Sequence, residues 1–484
     1  MSETNNTTWK SQAGFVWSLI GSAVGFANIL SFSAKAYKNG GGAYLIPYCV
    51  ALFTIGIPFL ILEGKIGHRW KSPLVAAYDS VWGRMGKILG WLAVLACLTI
   101  GAFYIVLTGY SAAYTYFSAA GSIPNDTHAF FIKDFLHLTP DVNQMGVFAI
   151  PIFLATAAVG ALSWFVLRRP VRDGIERICS FFMPMLAILM LIFAVVACLL
   201  PGGMEGWVYY LKPDFSKLFN FSLWRDIFGQ LFFSLSLGLG IVVGYSRHTG
   251  QTANIGRAMF FVALGDFTVS FIAGAAIFGC LAHISHVQGI PFDQILTSDS
   301  TFEIGFILFP KILQFFGPFW SQSIGTIFFF SVFIAGITGV FSIVESVAGN
   351  VEIEFEISRQ KAVAISLSVL MVLSIFFCMG NGSHVIDAIA PMVLGTNMLV
   401  GGLGLVYAFA YKRDFFFSEP PIFTWCLKIG APFVLSIILI GNLWQEAIHF
   451  DLMSLIRWSW LIGAIIVATA LALAPIRKTA IQGT

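Results

Sequence analysis

Long, nearly uninterrupted apolar runs are the feature of this sequence that most constrains its fold. Of the 484 residues, 58% are apolar and only 11% are charged, too few charges to solvate a globular domain of this size. In lipid each crossing must satisfy its own backbone, which requires a helix of about 20 residues, since these runs are too long for barrel strands. We therefore predict an all-α polytopic membrane protein. Its twelve predicted spans are 13–37, 43–67, 88–119, 146–167, 175–200, 225–247, 254–284, 319–350, 361–379, 384–411, 423–445 and 457–475.

The loops between the spans indicate the orientation of the chain. Lys and Arg are retained on the cytoplasmic side, and placing both termini there assigns most of the 27 basic residues, among them Lys65 and Arg169, to cytoplasmic segments. The net charge of +3 then follows from topology, and no nucleic-acid partner is expected. The polar N-terminal stretch shows no signal-peptide pattern. Low Cys usage and short loops favour the bacterial inner (plasma) membrane.

Small and polar residues interrupt two of the spans at mid-membrane depth. The first span carries the run 21–28 and the sixth carries 234–240, both of which weaken a helix where lipid would penalise exposed backbone. One such interruption alone would indicate a packing seam between helices. Two, each first in a group of five spans, indicate a 5+5 inverted-repeat transporter with its site between the repeats. The predicted segments are a cytoplasmic N-terminus at 1–12, a first repeat at 13–200, an external loop at 201–224, a second repeat at 225–411, and helices 11–12 with a cytoplasmic C-terminus at 412–484.

Two carboxylates lie inside predicted spans, where an ionisable group is costly and normally has a partner. Asp266 is in the seventh span and Glu63 is in the second, and neither has a basic residue nearby in sequence. We predict that Asp266 binds a cation, because a buried carboxylate needs a positive partner or a proton. For Glu63 we expect a structural role, in which it accepts hydrogen bonds from amides that a broken helix leaves free.

Six motifs follow one another along the chain: AVGFAN at 23–28, NGGGAYLIPY at 39–48, GIER at 174–177, MP at 183–184, KPDF at 212–215 and QLFFSLSLG at 230–238. In this order and spacing they resemble the neurotransmitter:sodium symporter family, in particular its bacterial leucine-transporter-like members. The resemblance runs from Trp9 to about the tenth span. It implies ion-driven uptake of a small molecule through a site at the two interrupted helices.

The resemblance also implies a substrate pocket. Its residues would be Ser22, Ala23, Phe26, Ala27, Ile100, Tyr104, Phe233, Ser234, Ser236, Leu239, Gly339 and Ile343. Tyr104 would hydrogen-bond a substrate carboxylate, and Phe233 would cover the pocket. Family members that carry biogenic amines have Asp where this chain has Gly25, so an α-amino acid is implied. The apolar walls imply a neutral, apolar side chain.

A first sodium site is implied at the Ala23 carbonyl, Asn28, Ser234 and Asp266, which are hard oxygen donors suited to a hard cation. The substrate carboxylate would be a further ligand. The chloride position of animal members corresponds to Tyr48, Gln230, Ser234 and Ser270. Because Asp266 supplies a fixed negative charge beside that position, no chloride requirement is expected.

A second sodium site would take carbonyls from Gly21, Val24 and Ala335 and a hydroxyl from Thr338. The family's other hydroxyl ligand falls on Gly339, so one ligand is missing, and no Lys in the facing part of helix 5 replaces the ion. Either water completes this site or coupling to a second ion is weakened.

Both gating ion pairs of the family are replaced in this chain. Ser31 stands at the position of the family's outer-gate Arg. The acidic partner of that Arg aligns with Met392 or Ala390, and Asp387 is at least one position away. Asn6 and Ile353 replace the inner pair. Gating is then expected to rest on Phe233, Tyr104 and Trp9. The inner end of helix 8 carries Glu345, Glu352, Glu354 and Glu356, for which we expect a solvated face.

These features predict a sodium-coupled symporter that imports a neutral amino acid by alternating access. Sodium at the Asp266 site would favour the outward-open state, and substrate would permit closure. Gly339 and a titratable Asp266 favour one alternative, a sodium-independent or proton-coupled carrier. The replaced gate residues favour another, a non-transporting amino-acid sensor. Without a nucleophile–base or metal motif, no enzyme is expected. The expected partners are the amino acid and membrane lipid.

Overall fold

The structure, a computed structural model, describes residues 8–296, 303–314, 317–413 and 419–474. Helices form nearly all of these residues, which confirms the all-α prediction. We number the long helices in chain order and divide the first and the sixth into halves. They are α1a (Gln12–Ala23), α1b (Ala27–Lys38), α2 (Gly42–Trp70), α3 (Arg84–Ala120), α4 (Ile150–Leu167), α5 (Ile175–Leu199), α6a (Phe221–Ser234), α6b (Ile241–Ser246), α7 (Ile255–Gln288), α8 (Pro318–Glu354), α9 (Arg359–Cys378), α10 (Gly382–Tyr411), α11 (Pro421–Ile448) and α12 (Leu452–Leu473).

Ten helices of the described chain are long and apolar enough to cross a membrane, and α1a with α1b make an eleventh span. The predicted count of twelve is not confirmed, because the sixth predicted span is divided into helices of 14 and 6 residues. The observed helices also extend past the predicted bounds, as α3 and α8 do at 37 residues each. A helix about 37 residues long exceeds the hydrocarbon thickness, so both project beyond the apolar layer.

The first helix is interrupted where the sequence analysis places the break. The amide of Val24 donates to the carbonyl of Ile20 at 2.7 Å and closes α1a, and α1b then leaves at an angle of 61°. Between the halves, the Gly25 amide donates to Asn28 Oδ1 at 2.9 Å. This side chain therefore replaces a helical partner that the bend removes.

The sixth helix is interrupted by residues in the left-handed backbone region. Ser236, Gly238 and Gly240 have φ angles of 53°, 82° and 76°. Such angles suit glycine and are unfavourable for serine. Glu63 on α2 accepts a hydrogen bond from the freed Gly238 amide at 2.7 Å, which confirms the structural role predicted for this buried carboxylate.

The two interruptions face a core formed by α3 and α8. A Cβ on Gly101 would lie 2.7 Å from Ile343 Cγ2 and equally close to Leu370 Cδ1, so glycine at this position allows α8 and α9 to approach α3 closely. By contrast, α11 and α12 have the smallest buried shares among the described spans and lie at the periphery. The packed centre thus holds the broken helices, while peripheral helices face lipid.

Candidate functional site

A small cavity of about 30 Å³ lies between the two interruptions and the faces of α3 and α8. It is lined by Ser22, Ala23, Gly25, Ala27, Ile100, Tyr104, Phe233, Ser236, Leu239, Ile241, Gly339, Ser342 and Ile343. The structure thus brings together all predicted pocket residues except Phe26 and Ser234. Sequence reasoning missed Ser342, although it lies one helical turn after Gly339 on the same face. A cavity of this size holds about one or two waters, so an amino acid enters only when the walls move apart.

Outside this cavity lies a vestibule of about 740 Å³. Tyr104 and Phe233 line both spaces and form the wall between them. The vestibule also contains the charged side chains Lys35, Arg225, Asp226, Asp387 and Glu446. Of the positions considered for the acid of the outer gate, Asp387 and Ala390 line the vestibule, whereas Met392 is buried. Ser31 donates to Gln230 Oε1 at 2.9 Å.

The hydroxyl of Tyr104 is held between two glycines. A Cβ on Gly25 would lie 2.1 Å from Tyr104 Oη, and one on Gly339 would lie 2.7 Å from it. The Phe26 ring packs edge-to-face on Tyr104, with 5.1 Å between the centroids. The position of this hydroxyl therefore depends on the absence of side chains at residues 25 and 339.

We expect Gly25→Ala to weaken substrate binding by about tenfold or more, because the added methyl displaces the tyrosine hydroxyl that is proposed to bind the carboxylate. Isothermal titration of substrate measures the effect. In a Tyr104→Phe background the same alanine should cost much less, since the hydroxyl oxygen is the closest atom. Gly463→Ala, which meets nothing within 4 Å, is the matched control. Equal losses in both backgrounds would contradict this account.

Oxygen atoms of three side chains converge on the amide nitrogen of Asn28 beside the interruptions. Asn28 Nδ2 lies 2.6 Å from Asp266 Oδ1, 2.9 Å from Ser234 Oγ and 2.8 Å from Ser270 Oγ. Ser234 donates to Asp266 Oδ1 at 2.8 Å, while the buried Asp266 Oδ2 has no hydrogen-bond partner among the described residues. The carboxylate and hydroxyl oxygens around this buried point are ligands of the type that binds Na⁺, and the unpartnered Asp266 oxygen fits a cation ligand. The Asn28 side chain turns its nitrogen to this point and its oxygen to the Gly25 amide, so it would ligate a cation here only after the amide turns over.

The residues predicted for a second cation are less complete. Thr338 Oγ1 lies 3.1 Å from the Ala335 carbonyl, so these two predicted oxygens are neighbours on α8. Gly21 on α1a packs directly against α5, since a Cβ added at this glycine would lie 2.9 Å from Cys179 Sγ. At residue 339, where the predicted hydroxyl is missing, the Tyr104 hydroxyl occupies the adjacent space, and Ser342 donates its hydroxyl to the Gly339 carbonyl at 2.8 Å.

A buried ion-pair network closes the other end of the core. Glu345 on α8 receives two hydrogen bonds from Arg359 on α9, at 2.9 and 2.7 Å. Arg247, directly after α6b, lies 3.5 Å from Glu345 and 3.1 Å from Glu352. The Glu345 side chain has no exposed surface. The network, defined by these four residues and His248, joins α6b, α8 and α9.

This network corrects the prediction of a solvated acidic face. Glu345 is 1% exposed and Glu354, which pairs with Lys87 at 2.7 Å, is 5% exposed. Only Glu352 and Glu356 have substantial solvent contact. Charge patterning on one helix could not reveal the basic partners, which come from other elements and satisfy the buried carboxylates. The seven-residue spacing of Glu345 and Glu352 was the available signal that they share a face.

His248 completes the network and connects it to the N-terminal segment. Burial lowers the pKa of His248, and the guanidinium of Arg247 lowers it further, although Glu345 opposes both. A neutral ring can accept the hydrogen bond from Arg247 Nε at 3.0 Å. Trp9 donates its amide to the His248 carbonyl at 3.1 Å and its indole N–H to the Tyr245 carbonyl at 2.9 Å.

A second set of hydrogen bonds, besides those of Trp9, holds the segment that precedes α1a. Glu176 on α5 accepts hydrogen bonds from the amides of Lys10, at 2.6 Å, and Ser11, at 3.3 Å. Of the replaced inner-gate positions, Ile353 is 43% exposed and Asn6 lies outside the described residues. Trp9, for which a gating role is predicted, therefore lies at this end together with basic residues that sequence reasoning missed.

Comparisons with known proteins agree on one family. The model described as the sodium:neurotransmitter symporter family matches residues 6–128 and 121–481. An uncharacterized sodium-dependent transporter of Methanocaldococcus jannaschii is 34% identical over 395 residues, which cover 82% of this chain and 80% of the relative. The sodium- and chloride-dependent creatine transporter 1 of Bos taurus is 25% identical and covers 90% of this chain and 76% of its own length.

The fold is also similar to a solved structure. The crystal structure of MhsT in complex with L-phenylalanine superposes with a TM-score of 0.77, covering 90% of this chain and 99% of that one. The two sequences are 23% identical, so this likeness concerns the fold alone.

Proposed function

Because this chain belongs to the sodium:neurotransmitter symporter family, whose members are transporters and not enzymes, we propose that it imports a neutral amino acid with sodium. The oxygen cluster around Asp266, beside both helix interruptions, is the observation that carries the proposal. Relatives named as sodium-dependent transporters support the use of sodium. The amino acid bound to MhsT supports the substrate class.

The substrate would lie in the cavity between the interruptions. Unwound segments supply free amides and carbonyls, and a helix terminus favours the carboxylate of an amino acid. Tyr104 would donate its hydroxyl to that carboxylate. Ile100, Leu239 and Ile343 form apolar walls, which favour a neutral, apolar substrate side chain.

Sodium at the Asp266 site would couple ion and substrate through shared ligands. The ion would contact Asp266, Asn28, Ser234 and the Ala23 carbonyl, and the substrate carboxylate would add another oxygen. Each ligand then raises the affinity for the other, as linkage requires. A second ion at Gly21, Val24, Ala335 and Thr338 would bind less tightly, since residue 339 offers no hydroxyl.

We propose that this chain needs no chloride. Ser234, one of the residues at the position that would correspond to chloride, donates to Asp266 Oδ1 at 2.8 Å, so a carboxylate lies beside that position. A fixed carboxylate there repels an anion and already balances the cation. The name of the Bos taurus relative records chloride dependence for that protein.

Alternating access would open and close the two ends of the core. On the outer side, movement of Tyr104 and Phe233 would connect the cavity with the vestibule. On the inner side, release of the Glu345 network and of Trp9 would free α1a. We propose that α1–α5 and α6–α10 form the two inverted repeats, and that the Glu345 end faces the cytoplasm of a bacterium, as the distribution of Lys and Arg favours.

A proton-coupled carrier is the second candidate, and the unpartnered Asp266 Oδ2 favours it. This oxygen could hold a proton in place of an ion. Such a carrier would accumulate substrate when driven by a proton gradient in the absence of sodium. A non-transporting sensor, by contrast, would bind substrate but show no counterflow.

Thermal stability of the purified chain tests the proposal, because a ligand that binds only the native state raises the melting temperature. We would screen the twenty amino acids in sodium, potassium and choline chloride. Stabilisation by one neutral amino acid in sodium alone is the expected result. Equal stabilisation in every salt would contradict sodium coupling and favour the second candidate or the sensor.

A further inference from the structure

An apolar groove of about 460 Å³ lies where α4 ends and α5 begins. Phe165 and Phe181 form its wall and are 48% and 65% exposed. Gly174 lets the connection turn tightly, since a Cβ there would lie 2.6 Å from the Val166 carbonyl. Both helices are largely unburied within the chain, so the groove opens towards lipid at one membrane interface.

Arginines crowd the polar end of this groove. Arg168 and Arg169 both place their guanidinium carbons over the Phe165 ring, at 4.9 and 4.6 Å from its centroid. Arg177 lines the groove from α5. Within the described chain, none of these three arginines forms an ion pair. Positive charges gathered on one apolar surface create a local potential that attracts an anion.

The acids beside the arginines do not balance them. Asp173 is exposed and is the acidic side chain that lines the groove. Glu176 is buried, and its oxygens accept the amides of Lys10 and Ser11. Two guanidinium groups and one exposed carboxylate therefore line the groove, with Arg168 beside them on the Phe165 ring, so the groove keeps an excess of positive charge beside an apolar wall.

We propose that this groove binds an acidic phospholipid, with its phosphate between Arg169 and Arg177 and an acyl chain along Phe165 and Phe181. Guanidinium groups bind phosphate oxygens through paired hydrogen bonds, and basic pockets between helices at the cytoplasmic interface attract acidic headgroups. The exposed rings match an acyl chain. The inference rests on the proposed orientation of the chain and is independent of its substrate and ions.

Lipid binding to the full chain in detergent tests this assignment. Native mass spectrometry would measure retention of dioleoyl phosphatidylglycerol and of dioleoyl phosphatidylcholine, which share acyl chains. We expect the acidic lipid to bind about tenfold more tightly, and Arg169→Gln/Arg177→Gln to remove most of this preference. Asp173→Asn should strengthen binding of the acidic lipid, because it removes the opposing charge.

The control variant Arg84→Gln/Lys361→Gln lowers the net charge by the same amount at exposed residues outside the groove. It should leave the preference for the acidic lipid intact. Equal affinity for the two lipids would overturn the proposal, as would an equal loss in this control. A thermal shift with inorganic phosphate as large as that with phosphatidylglycerol would show a simple anion site and would also overturn it. Because no assay includes substrate or sodium, these failures are distinct from failure of the transport proposal.

Discussion

Replacement of Asp266 with Ala is expected to abolish the sodium-dependent part of substrate binding. The buried carboxylate is the charged member of the oxygen cluster, with Oδ1 in contact with Asn28 and Ser234 and Oδ2 unpartnered. Without it the site loses its fixed negative charge, and the substrate carboxylate alone would have to balance a sodium ion in the membrane interior, at a cost of several kcal/mol. The measurement is the melting temperature with substrate in sodium and in potassium, where the difference should fall to zero.

Asp266→Asn separates charge from geometry, because it keeps one oxygen donor and nearly the same volume. We expect sodium-dependent binding to weaken and to become responsive to chloride, since an anion could then supply the lost charge near Ser270. Asp141→Asn, at an exposed loop carboxylate, is the matched control and should change neither response. Full sodium stabilisation in Asp266→Ala would place the ion elsewhere.

Glu345→Gln is expected to produce the second large effect, which is loss of closure at the Glu345 end of the core, the end that we propose is the inner one. The substitution leaves Arg247, which is buried, and Arg359, which is partly buried, without the carboxylate that they share. Removal of one partner of a buried pair costs about 3 kcal/mol, which the protein can avoid by opening this end. The open state should therefore gain population at the expense of the closed one.

Cys179 can report this opening. It is buried on α5, and a Cβ on Gly21 of α1a would lie 2.9 Å from its sulfur. In a chain whose other six cysteines are replaced by alanine, Glu345→Gln should raise the rate of Cys179 alkylation by about tenfold or more.

The controls for this experiment separate opening from a general loss of stability. Glu446→Gln removes the carboxylate of the 2.7 Å pair with Arg457 on the vestibule side and should leave Cys179 protected. In the double variant Glu345→Gln/Arg359→Gln both partners are neutral, so the rate of Cys179 alkylation should fall part of the way back to that of the chain with Glu345 intact. Unchanged alkylation in the single variant would show that the network is structural and does not hold the inner end closed.

Local sequence signals predicted the elements that surround the site. The glycines and serines at 21–28 and 234–240 mark both interruptions, because these residues weaken a helix whatever surrounds it. The intramembrane position of Glu63 indicated a structural carboxylate, and the structure supplies its partner in the Gly238 amide. Helix bounds were predicted less well, since helices such as α3 continue past the apolar layer that the hydropathy pattern detects.

Contacts between residues of distant elements could not be predicted from the sequence. Glu345 was expected to be solvated because nothing on α8 reveals that Arg247 and Arg359 approach it from other elements. The tight position of Tyr104 between Gly25 and Gly339 likewise depends on how α1, α3 and α8 pack. Such contacts join residues up to several hundred positions apart, and no local periodicity encodes them.

The sequence by itself determined that this chain spans a membrane through helices, that two of these are interrupted, and that the chain belongs with sodium-dependent transporters. Those conclusions depend on composition, local backbone preference and motif spacing, which are properties of contiguous residues. Only the tertiary structure decided which side chains meet at Asp266, which charges are paired at Glu345, and that Arg168, Arg169 and Arg177 form no ion pair within the described part of the chain. Burial and charge balance are set by residues brought together from separate helices, so they exist only once the chain is packed.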